Sequence, residues 1–381
     1  MIDFVTNRRV ILGENSINEI PSVLDWYQKK KVFLCVFNSK AESVQIIEAL
    51  LKSNCIQYVI YDKIVNEPDL DVIDEGAALC ANEKCDAVIA VGGGSIIDAS
   101  KVISMIASNG GGTEDYQLNG KPVKEIPILF IAVATTAGTG AEATKVSVVY
   151  NQKKGFKKAI YHNSMIAEVA ILDPLVTVGL PVKVTVATGM DAITHAIESY
   201  ISNNANVISK MYSLKALELL ANNIEAVYKD PGNLKARENM LLGSYFAGCA
   251  ISAGTCLAHI VGQPVGAIFK IPHGDSCTIF LTPSMRLNME YVKKEYVEIA
   301  KILGIETSGK TDEQVVLEGI ERLEEIEKKI KAPVKLSDYM AKEDFDMEMV
   351  LDNIQTSMGH IKTNPRPVSR ELFRELLEMV W

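Results

Sequence analysis

The chain has 381 residues, of which 48% are hydrophobic and 23% are charged. This composition is typical of globular proteins and unlike that of disordered, collagen-like or disulfide-rich chains. Its 39 Lys and Arg residues against 48 Asp and Glu residues give a formal charge of −9, which disfavours a nucleic-acid partner. A chain of this length is expected to form about two domains.

Targeting signals are not evident. The N-terminus lacks an apolar segment behind a basic start, the pattern of a secretion signal, so a cytoplasmic location is predicted. No run approaches the ~18 uninterrupted apolar residues of a membrane-spanning helix, so no membrane partner is expected. The seven cysteines form no C-x-x-C pair, which favours reduced thiols in the core.

The first 180 residues alternate short apolar runs with helical patterns. Continuous apolar strands separated by helices predict a mostly parallel sheet covered on both faces. We therefore predict an α/β domain over residues 1–180. The predicted strands are 32–37, 58–61, 87–91, 128–133, 146–149 and 169–172.

The remaining residues, 181–381, are predicted to form an all-helical domain. Strand signals stop after Pro181, and apolar residues then recur at spacings of three and four, as in 211–220 and 314–330. Pro181 is expected to be the first residue of a helix and to mark the domain boundary.

A glycine-rich turn follows the strand at 87–91. Gly92, Gly93 and Gly94 would let backbone N–H groups approach a ligand, and Ser95 with Asp98 stands in capping-box register at the start of a helix. A strand, a glycine turn and a helix N-terminus together suit a pyrophosphate. The alternative is a tight turn without a ligand, because the two standard nucleotide-binding glycine fingerprints are absent.

A second loop of small and hydroxyl residues follows the next predicted strand. It contains Thr135, Thr136 and Thr139, which suit a loop lying along a nucleotide. Two such loops at the ends of consecutive strands favour a cofactor crevice.

One Asp and three His in the second half form a candidate metal site. Asp191 and His195 are four residues apart in a helical segment, so they share one helix face. His259 lies near the end of an Ala/Gly-rich segment, and His273 lies in a Pro-His-Gly turn. Carboxylate and imidazole ligands suit Zn²⁺ or Fe²⁺. The remaining histidines are assigned structural roles: His162 and His360.

Together these segments resemble the iron-containing (group III) alcohol dehydrogenase family. The resemblance implies that residues 1–180 form an α/β dinucleotide-binding domain and that residues 181–381 form an all-helical metal-binding and substrate domain, in a dehydroquinate synthase-like architecture. It also implies an NAD(P)H- and metal-dependent interconversion of an aldehyde and its primary alcohol (EC 1.1.1.-). It rests on residues 66–68, 85–101, 135–142, 171–174, 189–198, 259–273 and 364–367.

The resemblance also assigns residues. The family's metal ligands are matched by Asp191, His195, His259 and His273. In the glycine loop, Lys101 completes the family's signature. The implied cofactor contacts are Gly92, Gly93, Gly94, Ser95, Asp98, Thr135, Thr136, Thr139 and Lys157.

Gln263 stands where many relatives have a histidine, four residues after the third metal ligand. We assign Gln263 a catalytic role in orienting the substrate oxygen, because an amide hydrogen-bonds but does not relay a proton near neutral pH. The resemblance favours Fe²⁺ before Zn²⁺, NAD(H) before NADP(H), and a homodimer or higher homo-oligomer. No carboxylate follows the strand at 32–37, and Lys40 is nearby, so NADP(H) is not excluded.

The substrate prediction is an aldehyde with an anionic tail. Residues 200–206 and 364–370 resemble those of 4-hydroxybutyrate dehydrogenases, which suggests succinic semialdehyde, or sulfoacetaldehyde as in other relatives. Lys362 or Arg366 would bind the anionic tail; the alternative for Arg366 is a hydrogen bond to a helix end. The competing functions are an uncharged alcohol or diol dehydrogenase, a dehydroquinate synthase-type lyase and a non-catalytic NAD-binding module.

Overall fold

The computed structural model describes residues 1–65, 68–154, 156–356 and 361–381. The expectations for residues 66–67 and for His360 lie outside these ranges. The described chain divides into two compact units. The α/β unit comprises Val5–Thr136 and Gly140–Val178, and the helical unit comprises Met1–Phe4, Ala137–Thr139 and Gly179–Trp381.

Six parallel strands form the sheet of the α/β unit, in the order β1-β8-β5-β4-β2-β3, which confirms the predicted fold class. Its central strands are fully buried apolar segments, as a sheet covered on both faces requires. The strands of the described residues are β1 (Arg9–Leu12), β2 (Lys31–Val36), β3 (Gln57–Tyr61), β4 (Ala87–Gly92), β5 (Leu129–Ala134), β6 (Val146–Asn151), β7 (Phe156–Tyr161) and β8 (Val169–Leu172).

One predicted strand is not part of the parallel sheet. Residues 146–149 lie in β6, which pairs antiparallel with β7 in a separate hairpin instead of joining the parallel sheet. The side chains of β6 alternate in burial, as expected for a strand with one exposed face. Strands β1 and β7 were not predicted, because β1 is a largely exposed edge strand and Lys157 and Lys158 interrupt the apolar pattern of β7.

Helices account for the rest of the regular structure. In the α/β unit they are α1 (Ile20–Trp26), α2 (Glu42–Ser53), α3 (Leu70–Asn82), α4 (Gly94–Asn109) and α5 (Thr113–Gln117). In the helical unit they are α6 (Val182–Ile201), α7 (Val207–Lys229), α8 (Leu234–Ala250), α9 (Leu257–Phe269), α10 (His273–Asn288), α11 (Lys293–Ile302), α12 (Asp312–Lys329), α13 (Met347–Thr356) and α14 (Arg370–Glu378).

Local sequence sets several of these boundaries. Asn206 caps α7, and Thr311 with Gln314 forms a capping box at α12, so the predicted helices at 211–220 and 314–330 are confirmed. Pro181 occupies the N-cap of α6, one residue before its predicted position.

Among the described residues, no single helix is both long and apolar enough to cross a membrane. One pair, Leu234–Ala253 with Leu257–Phe269, passes that test jointly by length and composition, and its two halves are bent by 103°. No disulfide joins the cysteines of the described residues, and only Cys55 among them is exposed, in agreement with reduced core thiols.

Candidate active site

Helix α6 carries three ionisable side chains on its buried face. Asp191, His195 and Glu198 are 2%, 5% and 2% exposed, and their spacing of four and three residues places them on one side of the helix. Apolar neighbours such as Met190 and Ile193 are fully buried. The helix therefore brings polar groups into an apolar core, where each needs a partner.

Two further helices bring histidines to the same point. Nε2 of His195, His259 and His273 lies 3.7, 3.5 and 3.6 Å, respectively, from Oδ1 of Asp191. The rings of His195 and His259 stack with centroids 4.5 Å apart. The four predicted metal-binding residues thus form one group, the Asp–His cluster (Asp191, His195, His259 and His273).

The local structure around two of the histidines differs from expectation. His259 lies in the first turn of α9, and His273 is the first residue of α10 instead of part of a turn. The His273 side chain remains 41% exposed, so the Asp–His cluster has one face open to solvent within the helical unit.

Glu198 holds His259 in place. Its carboxylate accepts hydrogen bonds from His259 Nδ1 at 2.7 Å, Ala258 N at 2.7 Å and Cys256 N at 2.9 Å. The last two bonds cap the N-terminus of α9, while the first fixes the histidine proton on Nδ1 and leaves the Nε2 lone pair facing Asp191. Sequence analysis did not assign Glu198 a role; its spacing from Asp191 and His195 was the available signal.

The donor atoms of the Asp–His cluster fit a metal ion. Asp191 Oδ1 and His259 Nε2 are buried and have no hydrogen-bond partner within the described residues. Two lone pairs facing each other at 3.5 Å repel unless a positive charge lies between them. Metal bonds of about 2.0–2.2 Å at tetrahedral angles place ligand atoms about 3.4 Å apart, close to the observed separations.

The electrostatics differ between the histidines of the Asp–His cluster: burial dominates at His195, whereas at His259 and His273 the charges of neighbouring groups outweigh burial and raise the pKa. Burial outweighs the attraction of Asp191 and lowers the pKa of His195 to about 4, so this imidazole is neutral at pH 7, as a ligand must be. Burial alone would raise the pKa of Asp191, but His195 and His273 hold it below its usual range. The cluster therefore presents an ionised carboxylate beside a neutral imidazole.

Close packing of α6, α9 and α10 allows the side chains of the Asp–His cluster to meet. A Cβ atom added to Gly274 would lie 2.1 Å from the Ala187 carbonyl oxygen, and one added to Gly262 would lie 3.1 Å from the Ser276 carbonyl oxygen. Gly274 thus lets the start of α10 contact α6 about one turn before Asp191, and Gly262 lets α9 contact α10. Without these contacts the three helices could not bring their histidines together.

Two more side chains lie next to the Asp–His cluster in the sequence of α9 and α10. Gln263 is exposed, one helical turn after His259. Cys277 lies one turn after His273, and its Sγ is 3.8 Å from His273 Nε2. Cys277 was not identified from sequence, although the same four-residue spacing that connects Asp191 and His195 connects it to His273.

The glycine loop, residues 92–95, connects β4 to α4. A Cβ on Gly92 would lie 2.5 Å from Ile96 Cγ1, and one on Gly93 would lie 3.1 Å from Thr136 Oγ1. Gly92 and Gly93 therefore serve close packing, and neither has a positive φ. The first backbone N–H groups of α4, including that of Ser95, have no acceptor within the helix and can bind an anion.

The predicted capping box is wrong. Helix α4 starts at Gly94 with Gly93 as its N-cap, so Ser95 is already inside the helix. Asp98 instead accepts hydrogen bonds from Lys101 Nζ at 3.0 Å and from Val148 N at 3.0 Å. Its carboxylate is thus engaged inside the α/β unit.

Lys101 is fully buried and joins α4 to the hairpin. Besides Asp98, its ammonium donates to Thr144 Oγ1 at 2.9 Å and to the Val146 carbonyl at 2.6 Å. These contacts of the buried ion pair hold α4 against β6, and so help to position the glycine loop at the start of α4.

The threonine loop is divided between the units. Thr135 donates its N–H to the Gly92 carbonyl at 3.0 Å, so the two predicted cofactor loops leave neighbouring strands side by side. Thr136 also belongs to the α/β unit, whereas Thr139 groups with the helical unit. Lys157 is exposed on β7, opposite Tyr150.

A carboxylate missed by sequence analysis lies beside the loop that follows β2. Ser39 Oγ donates to Asp62 Oδ2 at 2.8 Å, and Asp62 comes from the end of β3, the neighbouring strand. The loop after β2 therefore has a carboxylate close by, although its own sequence contains none.

The segments that suggested an anionic substrate pack against each other. Asn203 donates to the carbonyls of Lys362 at 3.1 Å and Asn364 at 2.8 Å. Arg366 donates to the Leu287 carbonyl at 3.2 Å, near the C-terminal end of α10 and far along that helix from His273. For Arg366 this supports the alternative prediction, a hydrogen bond to a helix end, and the substrate contact stays a prediction.

The remaining motif residues also have structural partners. Asn364 accepts from Leu257 N at 3.2 Å, which fixes the start of α9 just before His259. His162 lies within 2.6 Å of Ser164 Oγ and accepts from Ser164 N at the start of a short 3₁₀ turn, in keeping with the structural role expected for it.

Comparison with known proteins agrees with this arrangement. Residues 7–174 match the family model "Iron-containing alcohol dehydrogenase", and residues 185–381 match "Fe-containing alcohol dehydrogenase family, C-terminal". The chain is 32% identical over 331 residues to lactaldehyde reductase of Escherichia coli (strain K12), covering 86% of this chain and 85% of that one. It is 29% identical over 371 residues to the NAD-dependent methanol dehydrogenase of Bacillus methanolicus, covering 96% of both.

A solved structure is similar over the full length. The crystal structure of a 1,3-propanediol oxidoreductase matches with a TM-score of 0.95 at 28% identity, covering 100% of both chains. Both halves of the chain therefore match, in sequence and in fold, enzymes that oxidise alcohols or reduce aldehydes. The chain belongs to the iron-containing alcohol dehydrogenase family and is an oxidoreductase.

Proposed function

We propose that this protein interconverts a short aldehyde and its primary alcohol, using NAD(H) and one divalent metal ion held by Asp191, His195, His259 and His273. The observation that carries the proposal is the convergence of three imidazole nitrogens on Asp191 Oδ1 at 3.5–3.7 Å. Iron is the first candidate ion because the family is iron-containing, and zinc, which accepts the same ligands, is the second.

Each residue has a defined task. Asp191 supplies the negative charge that holds the ion, and Glu198 directs the Nε2 lone pair of His259 toward it. When bound, the metal supplies Lewis-acid polarisation of the substrate oxygen, and the nicotinamide supplies the hydride. Gln263, exposed one turn after His259, would donate an amide N–H to that oxygen.

The proton needs no side-chain relay. An amide such as that of Gln263 neither accepts nor releases a proton near neutral pH, and His273 has an exposed side chain on the solvent side of the Asp–His cluster. We infer that the alcohol proton exchanges with water at this face.

The cofactor proposal rests on the glycine loop and the threonine loop. Gly92, Gly93, Gly94 and Ser95 would bind the pyrophosphate through backbone N–H groups, with Thr135, Thr136 and Thr139 as further contacts. Lys157 stays a predicted contact. Asp98 and Lys101 act beneath the glycine loop, since their side chains bind each other.

NAD(H) is the expected cofactor. The Asp62 carboxylate beside Ser39 would repel the 2′-phosphate of NADP(H), whereas it can accept a hydrogen bond from a ribose hydroxyl. A relative that covers 96% of this chain is named an NAD-dependent enzyme. A lower KM for NADH than for NADPH is expected, and an Asp62→Ala variant should narrow the difference.

The substrate we propose is short and uncharged. Arg366, one cation that an anionic tail would use, donates to the Leu287 carbonyl instead. The similar enzymes are named for lactaldehyde, methanol and 1,3-propanediol. A carboxylate- or sulfonate-bearing aldehyde remains the second candidate through Lys362, whose side chain is exposed.

The central experiment measures metal content and NADH oxidation on one sample. Wild-type protein should retain about one metal ion per chain and reduce aldehydes. His259→Ala should lose both properties, while the matched control His162→Ala should keep both. A His259→Ala protein that retains metal and activity would refute the ligand assignment.

An aldehyde panel then tests the substrate. We expect lactaldehyde and butyraldehyde to be reduced with higher kcat/KM than succinic semialdehyde or sulfoacetaldehyde. A clear preference for the two anionic aldehydes that is lost in Lys362→Ala would instead establish the second candidate.

A further inference from the structure

We propose that the Asn364 segment, residues 363–366, positions the metal ligands by binding the ends of the three helices that carry them. The segment acts through α6, α9 and α10, and not through a bond to the metal. This inference rests on the proposed function, because it assumes that the Asp–His cluster holds a metal ion. It gives a role to part of the motif at residues 364–367, which contains none of the proposed metal or cofactor ligands.

Helix α9 is held by the segment at its first turn. Asn364 Oδ1 accepts a hydrogen bond from Leu257 N at 3.2 Å, and the backbone N–H groups of the residues on either side of Leu257 donate to Glu198. His259 lies in the same turn of α9. Asn364 and Glu198 therefore share the task of fixing the turn that carries the His259 imidazole.

Helix α10 is held at its last turn. Asn288, its last residue, and Asn364 are both buried, and Nδ2 of each amide donates to Oδ1 of the other, at 2.9 and 3.0 Å. Arg366 adds its hydrogen bond to the Leu287 carbonyl at 3.2 Å. Because α10 begins with His273, fixing its far end limits how the helix can tilt and displace that imidazole.

The loop that follows α6 is bound to the same segment. Asn203 lies two residues after the end of α6. Its side-chain amide donates to the carbonyls of Lys362 and Asn364, at 3.1 and 2.8 Å, and its backbone N–H donates to the Thr363 carbonyl at 2.8 Å. Helix α6 carries the other two proposed ligands, so the segment contacts an end of every ligand-bearing helix.

The Asn364 amide is fully hydrogen-bonded. Besides its bonds to Leu257 and Asn288, its Nδ2 donates to the Arg366 carbonyl at 2.8 Å, so the oxygen accepts two bonds and the nitrogen donates two. A buried polar group that loses its partner costs free energy. Movement of α9 or α10 would break one of these bonds, and the network therefore selects a single arrangement of the two helices.

Zinc affinity and the cobalt spectrum test the inference on the full-length protein after removal of its metal. Asn364→Ala should bind Zn²⁺ about tenfold more weakly than wild type. Its Co²⁺ complex should have shifted visible absorption bands, because these bands report the coordination geometry. Asn288→Ala should weaken Zn²⁺ binding less than Asn364→Ala, because the Leu257 N–H keeps its acceptor in that variant.

The matched control breaks an amide pair elsewhere in the helical unit. Asn239 Nδ2 donates to Asn223 Oδ1 at 3.1 Å, which joins α8 to α7, two helices that carry no proposed ligand. Asn239→Ala should therefore keep the zinc affinity and the cobalt spectrum of wild type. Its melting temperature without metal shows what the loss of such a pair costs the fold alone.

The outcomes separate this inference from the proposed function. Wild-type protein that binds neither ion would contradict the proposed function and, with it, the inference. Wild-type binding together with the same zinc affinity and cobalt spectrum in Asn364→Ala would overturn the positioning role alone, even if the variant melts at a lower temperature. If Asn364→Ala does not fold, Asn288→Ala decides: wild-type affinity and spectrum in that variant would overturn the role as well.

Discussion

The glycine loop and the Asp–His cluster are built on opposite principles. In the loop region, the charged side chains satisfy each other, since Lys101 and Asp98 form a buried ion pair, and the binding groups left over are backbone N–H groups. In the Asp–His cluster, the side chains converge and remain unsatisfied at Asp191 Oδ1 and His259 Nε2.

The difference indicates two kinds of ligand. Backbone N–H groups at a helix start suit a large anion that makes many modest contacts, while convergent unpaired donors suit a small cation held by a few strong bonds. The glycines differ accordingly: a Cβ added to Gly274 would lie 2.1 Å from a backbone carbonyl oxygen, whereas one added to Gly93 would lie 3.1 Å from the Thr136 side chain.

Gly274→Ala should have the largest effect, because the new methyl group must push α10 away from the Ala187 carbonyl and displace His273. We expect about 3 kcal/mol lower stability and a drop of about 100-fold in kcat/KM, together with loss of metal. Gly179→Ala is the control, since nothing lies within 4 Å of an added Cβ there. Full metal content in Gly274→Ala would show that the helices tolerate separation.

Lys101→Met should lower the stability of the α/β unit without changing the metal site. Removing the buried ammonium leaves the Asp98 carboxylate without its cation, and we expect a loss of about 3 kcal/mol in the free energy of unfolding. The partly exposed pair Lys31–Glu83 supplies the control, Lys31→Met, expected to cost under about 1 kcal/mol. Equal losses in urea denaturation would contradict a special role for the buried pair.

Glu198→Gln should weaken metal binding about 10–100-fold, because the amide is a poorer acceptor for His259 Nδ1 and can present its NH₂ group to the α9 N–H groups. Isothermal titration with Zn²⁺ measures the change. Glu327→Gln provides a matched control: Glu327 is also buried in the helical unit, and burial raises its pKa to about 8, so the amide replaces a neutral acid. Equal Zn²⁺ affinities of the two variants would show that Glu198 does not support metal binding.

Gly93→Ala should have the smallest effect. A Cβ at this position requires Thr136 to shift by a few tenths of an ångström. We expect the KM for NADH to rise about three- to tenfold, because a loss of about 1.4 kcal/mol of binding free energy weakens binding tenfold. Metal content should not change. A variant that loses metal but binds NADH normally would break the distinction between the two regions.

Much of the architecture follows from local pattern. Apolar runs such as β4 and the capped periodic segment of α12 are determined by their own sequences, so their type was predictable. Strand β6 was assigned to the wrong sheet because its own sequence does not indicate which strand it pairs with. Its partner is β7, which contains two lysines.

The Asp–His cluster was predictable in residue type but not in assembly. Asp191 and His195 share a helix face by spacing alone, whereas the approach of His273 depends on the contact of Gly274 with Ala187. Asp62 could not be linked to the loop after β2, because that proximity depends on strand order. Cys277 could have been found from its four-residue spacing to His273.

The capping of α9 by Glu198 has a thermodynamic consequence. The same carboxylate closes the helix start and orients His259, so an ion bound by the Asp–His cluster holds α6, α9 and α10 in their native arrangement. Because such an ion binds the native state and not the unfolded chain, each tenfold rise in its free concentration above the dissociation constant adds about 1.4 kcal/mol to stability. The melting temperature of the helical unit thus becomes a measure of metal supply.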